Sequence, residues 1–526
     1  MIDKNLMASI KEEAQKVVLN SVNYQSCENI VIKEVSNQVF YKENVPGISI
    51  PPVDNSSMDG YAIIANDTNG ASINKFNTFP ISKDKRSIAK ISELYSKVRI
   101  NYPENTNNPK DYHVNQTHAW RRKLPLEEAR ELLLQKVITT PCERLSLNEA
   151  LGRTMLEDLS IQENVPSFDR SKVDGYALLS RDTENISENV PVSLMVLGKV
   201  APGRNHYFQV SSQTTVKVMT GAPLPAGADA VVKCEDVFRE GQYIKVYHQV
   251  MKGANIDKAG QGITAGETAI SKGTLITPPL LGLLAEAGLN DIPVYSALKV
   301  AIICTGSELT ELGQTLDTGR IYNSNQYLLS ALLRKIGVEP VPMGIVPDDA
   351  AKIATIMQTA LEKTDLVVTT GGASAGDFDL VEPAMAMAGI EGLFSGIDIR
   401  PGKSFVAGKK GGKLILGLSG HPGAAFTAFE LIVKPVIKKM LGYKDILPRQ
   451  VEVVLSGDYK KADARRIKTA KLSIEEGIAK ASILTEHSIL RTLADCNLLV
   501  DIPPGSGMIA DGEIVTAYIV DLFNMN

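Results

Sequence analysis

No apolar run in these 526 residues approaches the length needed to cross a bilayer, which argues against a helical membrane protein. The opening stretch, MIDKNLMASIKEEAQK, lacks the apolar segment of a secretory signal. Cysteine is scarce: Cys27, Cys142, Cys234, Cys304 and Cys496 are odd in number and widely spaced. That pattern fits neither a disulfide framework nor a zinc site, and it suits reduced thiols in a cytosol. A cytoplasmic location is therefore expected. An excess of one charge is missing too. The net charge of −4 speaks against a general nucleic-acid binder. There is no Walker pattern, no HExxH, no CxxC pair and no Ser-His-Asp order, so a P-loop nucleotidase is not expected.

What is present begins with length, which predicts three or four domains. The hydrophobic fraction of 44% and charged fraction of 22% are those of an ordinary globular chain. A phrase recurs: PPVDNSSMDGYAI from Pro51 and VPSFDRSKVDGYAL from Val165. Asp59 and Asp174 lie 115 positions apart, and the same offset pairs Cys27-Glu28 with Cys142-Glu143 and Asp67-Thr68 with Asp182-Thr183. Residues 11–68 are thus a diverged copy of 126–183. Residues 69–118, including NYPENTNNPKDYHVNQTH, read as a linker.

From Leu124 the pattern sharpens. PLEEARELLLQKV predicts a helix with Ala129, Leu132, Leu133 and Val137 on one face. SLNEALGRTMLEDL predicts a second short helix, with Ser146 and Glu149 as a capping box. Residues 165–250 hold short β-rich runs broken by Gly and Pro, and TPPLLGLLAEAGL returns to helix. From Ser296, strands and helices alternate. SNQYLLSALLRKIG predicts an amphipathic helix with Leu328, Leu329, Leu332 and Ile336 on its apolar face. Alternation of this kind implies a mainly parallel, doubly wound sheet. Residues 450–526 read as a small β domain.

In such a sheet, ligands bind beyond the carboxyl ends of the strands. Four sequence loops fall there: Thr305–Glu308, Pro347–Asp349, Gly371–Asp379 and Ser419–Gly423. Two carry glycines between strand and helix. These either cradle an anion such as phosphate with backbone N–H groups or simply mark tight turns. Glu308, Asp348 and Asp379 add carboxylates, as a Mg²⁺ bridging to phosphate requires; Asp348 alternatively just caps its helix. Arg400 and Lys403 add two cations suited to a phosphorylated ligand. His421 is either a general base or a hydrogen-bonding group.

These motifs, taken in order, carry a family resemblance. VPSFDRSKVDGYAL, VMTGAPLPAGADAVV, ICTGSEL, IYNSN, TTGGASAGDFD, IRPGKSF and LSGHPGAAF make the stretch from Leu124 to about Asn524 resemble the molybdopterin molybdenumtransferases, the MoeA and gephyrin E-domain family. The resemblance implies a multidomain α/β-plus-β fold. An elongated helical domain spans 119–164 and 260–295, with a β-rich domain (165–259) inserted in it. A doubly wound molybdopterin-binding α/β domain (296–445) and a C-terminal β domain (446–526) follow; residues 1–118 are an N-terminal extension.

It also implies an enzyme of molybdenum cofactor biosynthesis that uses adenylylated molybdopterin, molybdate and Mg²⁺ and releases AMP. The enzyme would act as a homodimer with a composite site, downstream of a molybdopterin adenylyltransferase. The matching positions imply Asp174, Thr220, Glu308, Asp348 and Asp379 as catalytic residues, with Glu308, Asp348 and Asp379 at the metal. Gly371, Gly372, Ser374, Gly376, Arg400, Lys403, Ser419, Gly420 and Pro422 are implied in substrate binding. A non-catalytic carrier of the same fold is the alternative, and a nucleotide pyrophosphatase built on the α/β domain a third reading.

The chain also departs from the family. Gly260-Gln261-Gly262 stands where Gly-Glu-Asp is frequent, and Val173 where Met is usual. Arg400 replaces a common lysine, and Ser419 and His421 stand where Pro and Asn are frequent.

Overall fold

The computed structural model describes residues 122–204, 207–372, 380–485 and 488–520. The N-terminal copy of the repeat and the linker lie outside them. Within the described part, Glu308–Arg334 belongs to a separate compact unit from the remainder.

The larger unit opens with helix α1 (Leu126–Lys136), which buries Leu126, Ala129, Leu133 and Leu134. Strand β1 (Cys142–Ser146) follows and pairs antiparallel with a later strand, Asp291–Tyr295. The helix expected after it is absent. Ser146 ends the strand paired with Asp291, and Gly152 at φ +75° turns the chain onward. Between them is a turn in which the Ser146 hydroxyl donates to Glu149 Oε2 (2.7 Å). The Ser146 hydroxyl is not needed by the Glu149 amide, which donates to the Ser146 carbonyl within the turn (3.0 Å).

The β-rich region is a six-stranded sheet of β2 (Gly175–Leu178), β3 (Val192–Val200), β4 (Thr214–Val218), β5 (Ala230–Lys233), β6 (Val237–Glu240) and β7 (Tyr243–Val246). Its spatial order is β5-β2-β4-β3-β7-β6. Val200, Val216, Val218 and Val231 pack on one side, and Leu178, Leu194, Ile244 and Val246 on the other. The chain returns through α2 (Pro278–Glu286) and β8 (Asp291–Tyr295), whose Leu284, Ile292 and Val294 cluster with Ala150 and Met155.

The second six-stranded sheet is mixed. β9 (Lys299–Thr305) begins it. The separate unit then holds two short strands, β10 (Leu309–Thr310) and β11 (Ile321–Tyr322), paired in parallel, and helix α3 (Ser324–Lys335). In α3 the fully buried leucines are Leu329, as expected, and Leu333; the expected Leu328, Leu332 and Ile336 are half-buried. The pairs 328/332 and 329/333 have the same i, i+4 spacing, so periodicity does not choose between them.

Back in the larger unit come β12 (Glu339–Val346), α4 (Ala350–Lys363), β13 (Leu366–Thr370), α5 (Val381–Met387), β14 (Glu391–Ser395), β15 (Phe405–Lys410) and β16 (Lys413–Leu418). The order is β12-β9-β13-β16-β15-β14. The first four strands run parallel, and β15 and β14 extend the sheet antiparallel. Parallel strands are covered on both faces, which is why KVAIICT and LVVTT are nearly continuous apolar runs. Helix α4 lays Ile353, Met357, Ala360 and Leu361 onto Ala301, Ile303 and Val367. Burial of Ile353 or Met357 stabilises by about 1.5–3 kcal/mol each.

A long helix follows β16: α6 (Pro422–Ala428), a π-helical turn (Phe429–Val433) and α7 (Lys434–Met440). Helix α1 packs against α7. The C-terminal region is a closed barrel of β17 (Gln450–Ser456), β18 (Arg466–Glu475), β19 (Ile478–Ile483), β20 (Leu498–Ile502) and β21 (Ile514–Ile519), with α8 (Ile489–Asp495) packed against α6. No helix among the described residues is long and apolar enough to cross a membrane.

Candidate active site

The strand ends β9, β12, β13 and β16 finish at one edge of the sheet, and their loops interlock. Gly306 N–H donates to the Val346 carbonyl at the end of β12 (3.1 Å). Gly371, at φ +94°, lies on Thr305 so closely that an added Cβ would sit 2.2 Å from the Thr305 carbonyl oxygen. Its N–H donates to the Leu418 carbonyl at the end of β16 (3.2 Å). A Cβ on Gly420 would lie 3.3 Å from Gly371 Cα, and the Thr370 hydroxyl donates to the Ser419 carbonyl (3.0 Å). The turn with Arg400 and Lys403 joins this edge through Gly402, which lies against Ile399 and near the Ala424 carbonyl of α6. Glycine is required at 371 because the left-handed backbone and the close carbonyl both exclude a side chain.

Asp348 faces Ser307. The Ser307 N–H donates to Asp348 Oδ2 (2.9 Å), and the Asp348 N–H donates to Ser307 Oγ (3.2 Å). The alternative that Asp348 caps its helix is corrected: the cap is Asp349, whose Oδ1 accepts from the Ala351 and Lys352 amides (3.0 and 3.1 Å). Those bonds, the Lys352 amide foremost, hold the Asp349 carboxyl below its ordinary pKa. Asp348 is thereby left to the site edge. The Thr305 hydroxyl is buried there with no partner among the described residues, a polar group available to a ligand or water. Thr305 and Ser307 were not singled out from sequence; their signal is a hydroxyl residue on each side of the glycine that ends an apolar strand.

The remaining expected site residues are taken in turn. Glu308 opens the separate unit, exposed, its carbonyl accepting from Ile321 N–H (2.9 Å). Ser374, Gly376 and Asp379 lie outside the described residues, and Gly372 is the last residue before them, at φ +60°. Pro422 is the first residue of α6. Ser419 Oγ accepts from the His421 amide (3.2 Å). Burial lowers the His421 pKa, which favours the neutral imidazole.

Asp174 and Thr220 form a second polar centre on the β-rich sheet. Asp174 Oδ1 accepts from the Thr220 amide (2.8 Å) and hydroxyl (2.9 Å). The amide bond first, then the hydroxyl, and more weakly Lys217 and Lys199, lower the Asp174 pKa. Gly175 is obligatory: a Cβ would sit 2.2 Å from the Val232 carbonyl oxygen. Both polar residues are exposed, and no hydrogen bond or ion pair among the described residues joins them to the strand-end loops.

The Gly260-Gln261-Gly262 departure is a tight turn. Gln261 Oε1 accepts from the Lys258 amide (3.1 Å), and Gly262 N–H donates to the Val165 carbonyl (2.9 Å). Gly262 is not at positive φ, but a Cβ there would approach that same carbonyl oxygen to 2.9 Å.

The sequence matches the MoeA N-terminal region (domain I and II) over residues 10–101 and 124–288, and a probable molybdopterin binding domain over 301–439. The molybdopterin molybdenumtransferase of Staphylococcus aureus (strain MRSA252) is 32% identical over 404 residues, covering 76% of this chain and 96% of the relative. The chain belongs to the MoeA family.

The family member of the same name from Bacillus subtilis (strain 168) is 32% identical over 407 residues, 76% of this chain and 95% of its own. The crystal structure of the molybdopterin biosynthesis MoeA protein from Pyrococcus horikosii superposes with a TM-score of 0.64 at 31% identity, over 76% of this chain and 99% of that one. The fold is thus MoeA-like, with mixed α/β content.

The family resemblance implies Mg²⁺. Among the described residues no three His, Cys, Asp or Glu side chains converge as a metal site. Among the described residues, Asp348, next to the Ser307 hydroxyl, places a carboxylate at the edge. A hard oxygen donor of this kind fits Mg²⁺, which keeps most of its waters and binds through one or two carboxylates plus substrate phosphate.

Proposed function

We propose that this chain takes adenylylated molybdopterin and molybdate, releases AMP and leaves molybdenum on the dithiolene. It is a transferase of molybdenum cofactor biosynthesis. The observation that carries this reading is the interlocked edge of Thr305, Ser307, Asp348, Gly371, Ser419 and Gly420 with Arg400 and Lys403 beside it. That edge offers hydroxyls, backbone amides, one carboxylate and two cations, the set a phosphorylated ligand needs.

In this reading Arg400 and Lys403 bind phosphate. Gly371, Gly372, Ser374, Gly376, Ser419, Gly420 and Pro422 line the ligand. Asp348 would hold Mg²⁺, with Glu308 and Asp379 implied beside it by the family resemblance alone; the ion would neutralise phosphate charge and polarise its oxygens. Ser307 orients the Asp348 carboxylate through its amide.

Asp174 and Thr220 complete the site from the β-rich domain of the second subunit of a homodimer, and a molybdopterin adenylyltransferase supplies the substrate. The domain partition is that implied by the resemblance, except that α1 packs with the α/β domain through α7. The carrier alternative is not favoured, because relatives matched along almost their whole length are named transferases.

The test is a defined assay. Purified protein receives adenylylated molybdopterin, molybdate and Mg²⁺, and AMP is followed. Molybdate-dependent AMP release is expected; a well-folded sample that binds the substrate and releases no AMP overturns the reading in favour of the carrier.

A further inference from the structure

One edge of the β-rich sheet is open. Strand β6 (Val237–Glu240) pairs on one side with β7 and, among the described residues, with no strand on the other. A two-residue turn, Gly241-Gln242, joins the two strands, with Gly241 at φ +61°. Glu240 and Tyr243 are therefore the inner bonded pair, and the N–H and C=O groups of Val237 and Arg239 point away from β7. Charge guards the end of β6 next to the turn: Glu240 pairs with Lys245 (2.7 Å), and Arg239 Nε donates to the Gly241 carbonyl (3.4 Å). The other end is bare, and Phe238 there is 57% exposed. An unpaired edge with an exposed aromatic is a template for another strand.

A cavity of about 540 Å³ opens beside that bare end, lined by Phe238 and Tyr247 together with Glu188, Glu235 and Asp236. The carboxylates come from two segments: Glu188 stands in the tight turn closed by Ser187 and Val190, and Glu235 and Asp236 in the turn that enters β6. All three are exposed, and none forms a hydrogen bond or ion pair among the described residues. Like charges left uncompensated around a concavity attract a cation. A metal ion is not the match, since among the described residues no three His, Cys, Asp or Glu side chains converge on one point. Two aromatic rings beside the acids suit instead the apolar stem and charged head of a lysine or arginine side chain.

We propose that the open edge of β6 and this cavity dock an extended basic segment of a partner protein. The segment adds a strand along Val237–Arg239 and places a lysine or arginine among Glu188, Glu235 and Asp236. Main-chain bonds supply affinity and the cavity selects the side chain, as in other strand additions. Two separate features point to this one occupant: the outward amides and carbonyls need an extended chain, and the unpaired acids need a cation on it. No residue of the surface belongs to the site proposed above, and the proposal does not depend on the reaction assigned there.

Fluorescence anisotropy of the full chain with a labelled peptide of alternating valine and lysine tests it. Two further peptides serve as controls, one with glutamate in place of lysine and one with its amides N-methylated. The lysine peptide should bind, and each control should bind about tenfold more weakly or worse, the first for charge and the second for lost strand bonds. The combined variant Glu188→Gln, Glu235→Gln and Asp236→Asn should weaken the lysine peptide about tenfold. Phe238→Ser removes no charge and should still weaken it about threefold or more, which general attraction to an acidic protein would not produce. Glu362→Gln, an exposed carboxylate on α4, should change nothing. The proposal is overturned if a folded wild type does not bind the lysine peptide, or binds either control equally well. Unchanged affinity in both the combined variant and Phe238→Ser also overturns it. So does a change of oligomeric state in Phe238→Ser, followed by sedimentation, which would make the edge an interface between copies of this chain.

Discussion

At the edge of the α/β sheet, polar groups are held by loops that brace one another: Gly371 rests on Thr305, Gly420 on Gly371, and Asp348 on Ser307. On the β-rich sheet, Asp174 is held within its own sheet, by Thr220 alone, with Gly175 admitting the neighbouring strand. The first arrangement gathers contributions from loops far apart in sequence and fails if any one is displaced. The second is self-contained and exposed, so its carboxylate is fixed without being enclosed. The contrast teaches that one polar centre depends on packing between distant loops, whereas the other is fixed locally and stays exposed.

The largest expected effect breaks the braced side. Gly371→Ala places a Cβ 2.2 Å from the Thr305 carbonyl oxygen at φ +94°. AMP release should fall by about a hundredfold or more, as for any displacement near 1 Å. Activity within a few-fold of wild type would show the loops are not braced.

Next, Asp348→Ala should lower AMP release by about a hundredfold with Tm changed by no more than about 1 °C. Asp349→Ala should do the reverse, lowering Tm by a few degrees through loss of the α4 cap while activity stays. Equal effects of the two on both readouts would remove the distinction.

On the self-contained side, Asp174→Asn should reduce AMP release by about ten- to a hundredfold without loss of fold. The folded-state pKa of Asp174 is lowered, so its stabilising contribution is present above the unfolded value and is lost as pH falls through the lowered one. The Tm gap between wild type and Asp174→Asn should therefore be constant at neutral pH and close only below about pH 4. A gap that closes on raising pH instead would contradict the Thr220 bonding.

The smallest effect concerns the neutral turn. Gln261→Glu keeps its acceptor for the Lys258 amide and should leave Tm within about 1 °C. Gly262→Asp must push against the Val165 carbonyl at 2.9 Å and should lower Tm by a few degrees. In the double variant, half-saturation by molybdate or Mg²⁺ should fall if the missing acids matter. Values equal to wild type would make the departure neutral.

Much of this was legible in the chain. The apolar runs of β9, β13 and β16 and the Asp-led α4 announce a parallel sheet, because continuous hydrophobicity alternating with helices has few other readings. The motif order announced the family. Less was legible where two patterns fit equally. The capping box at Ser146 became a turn because Asp291, far away in sequence, claimed the strand. In α3 the expected Leu329 is buried but is joined by Leu333 in place of Leu332, because the 328/332 and 329/333 pairs have the same spacing. The strands β14 and β15 escaped notice because short antiparallel edges carry little pattern.

The sequence by itself determined which residue types stand at the strand ends, and so the chemistry the chain is able to offer: glycines, hydroxyls, carboxylates and cations in family order. Only the tertiary structure decided which of them meet. Whether Asp348 or Asp349 caps α4 depends on one turn of backbone placing Ser307 within 2.9 Å. Whether Arg465 is neutralised depends on Glu127, 338 residues away in the chain. Distances of this kind are set by packing across loops and domains, and local pattern carries no record of them.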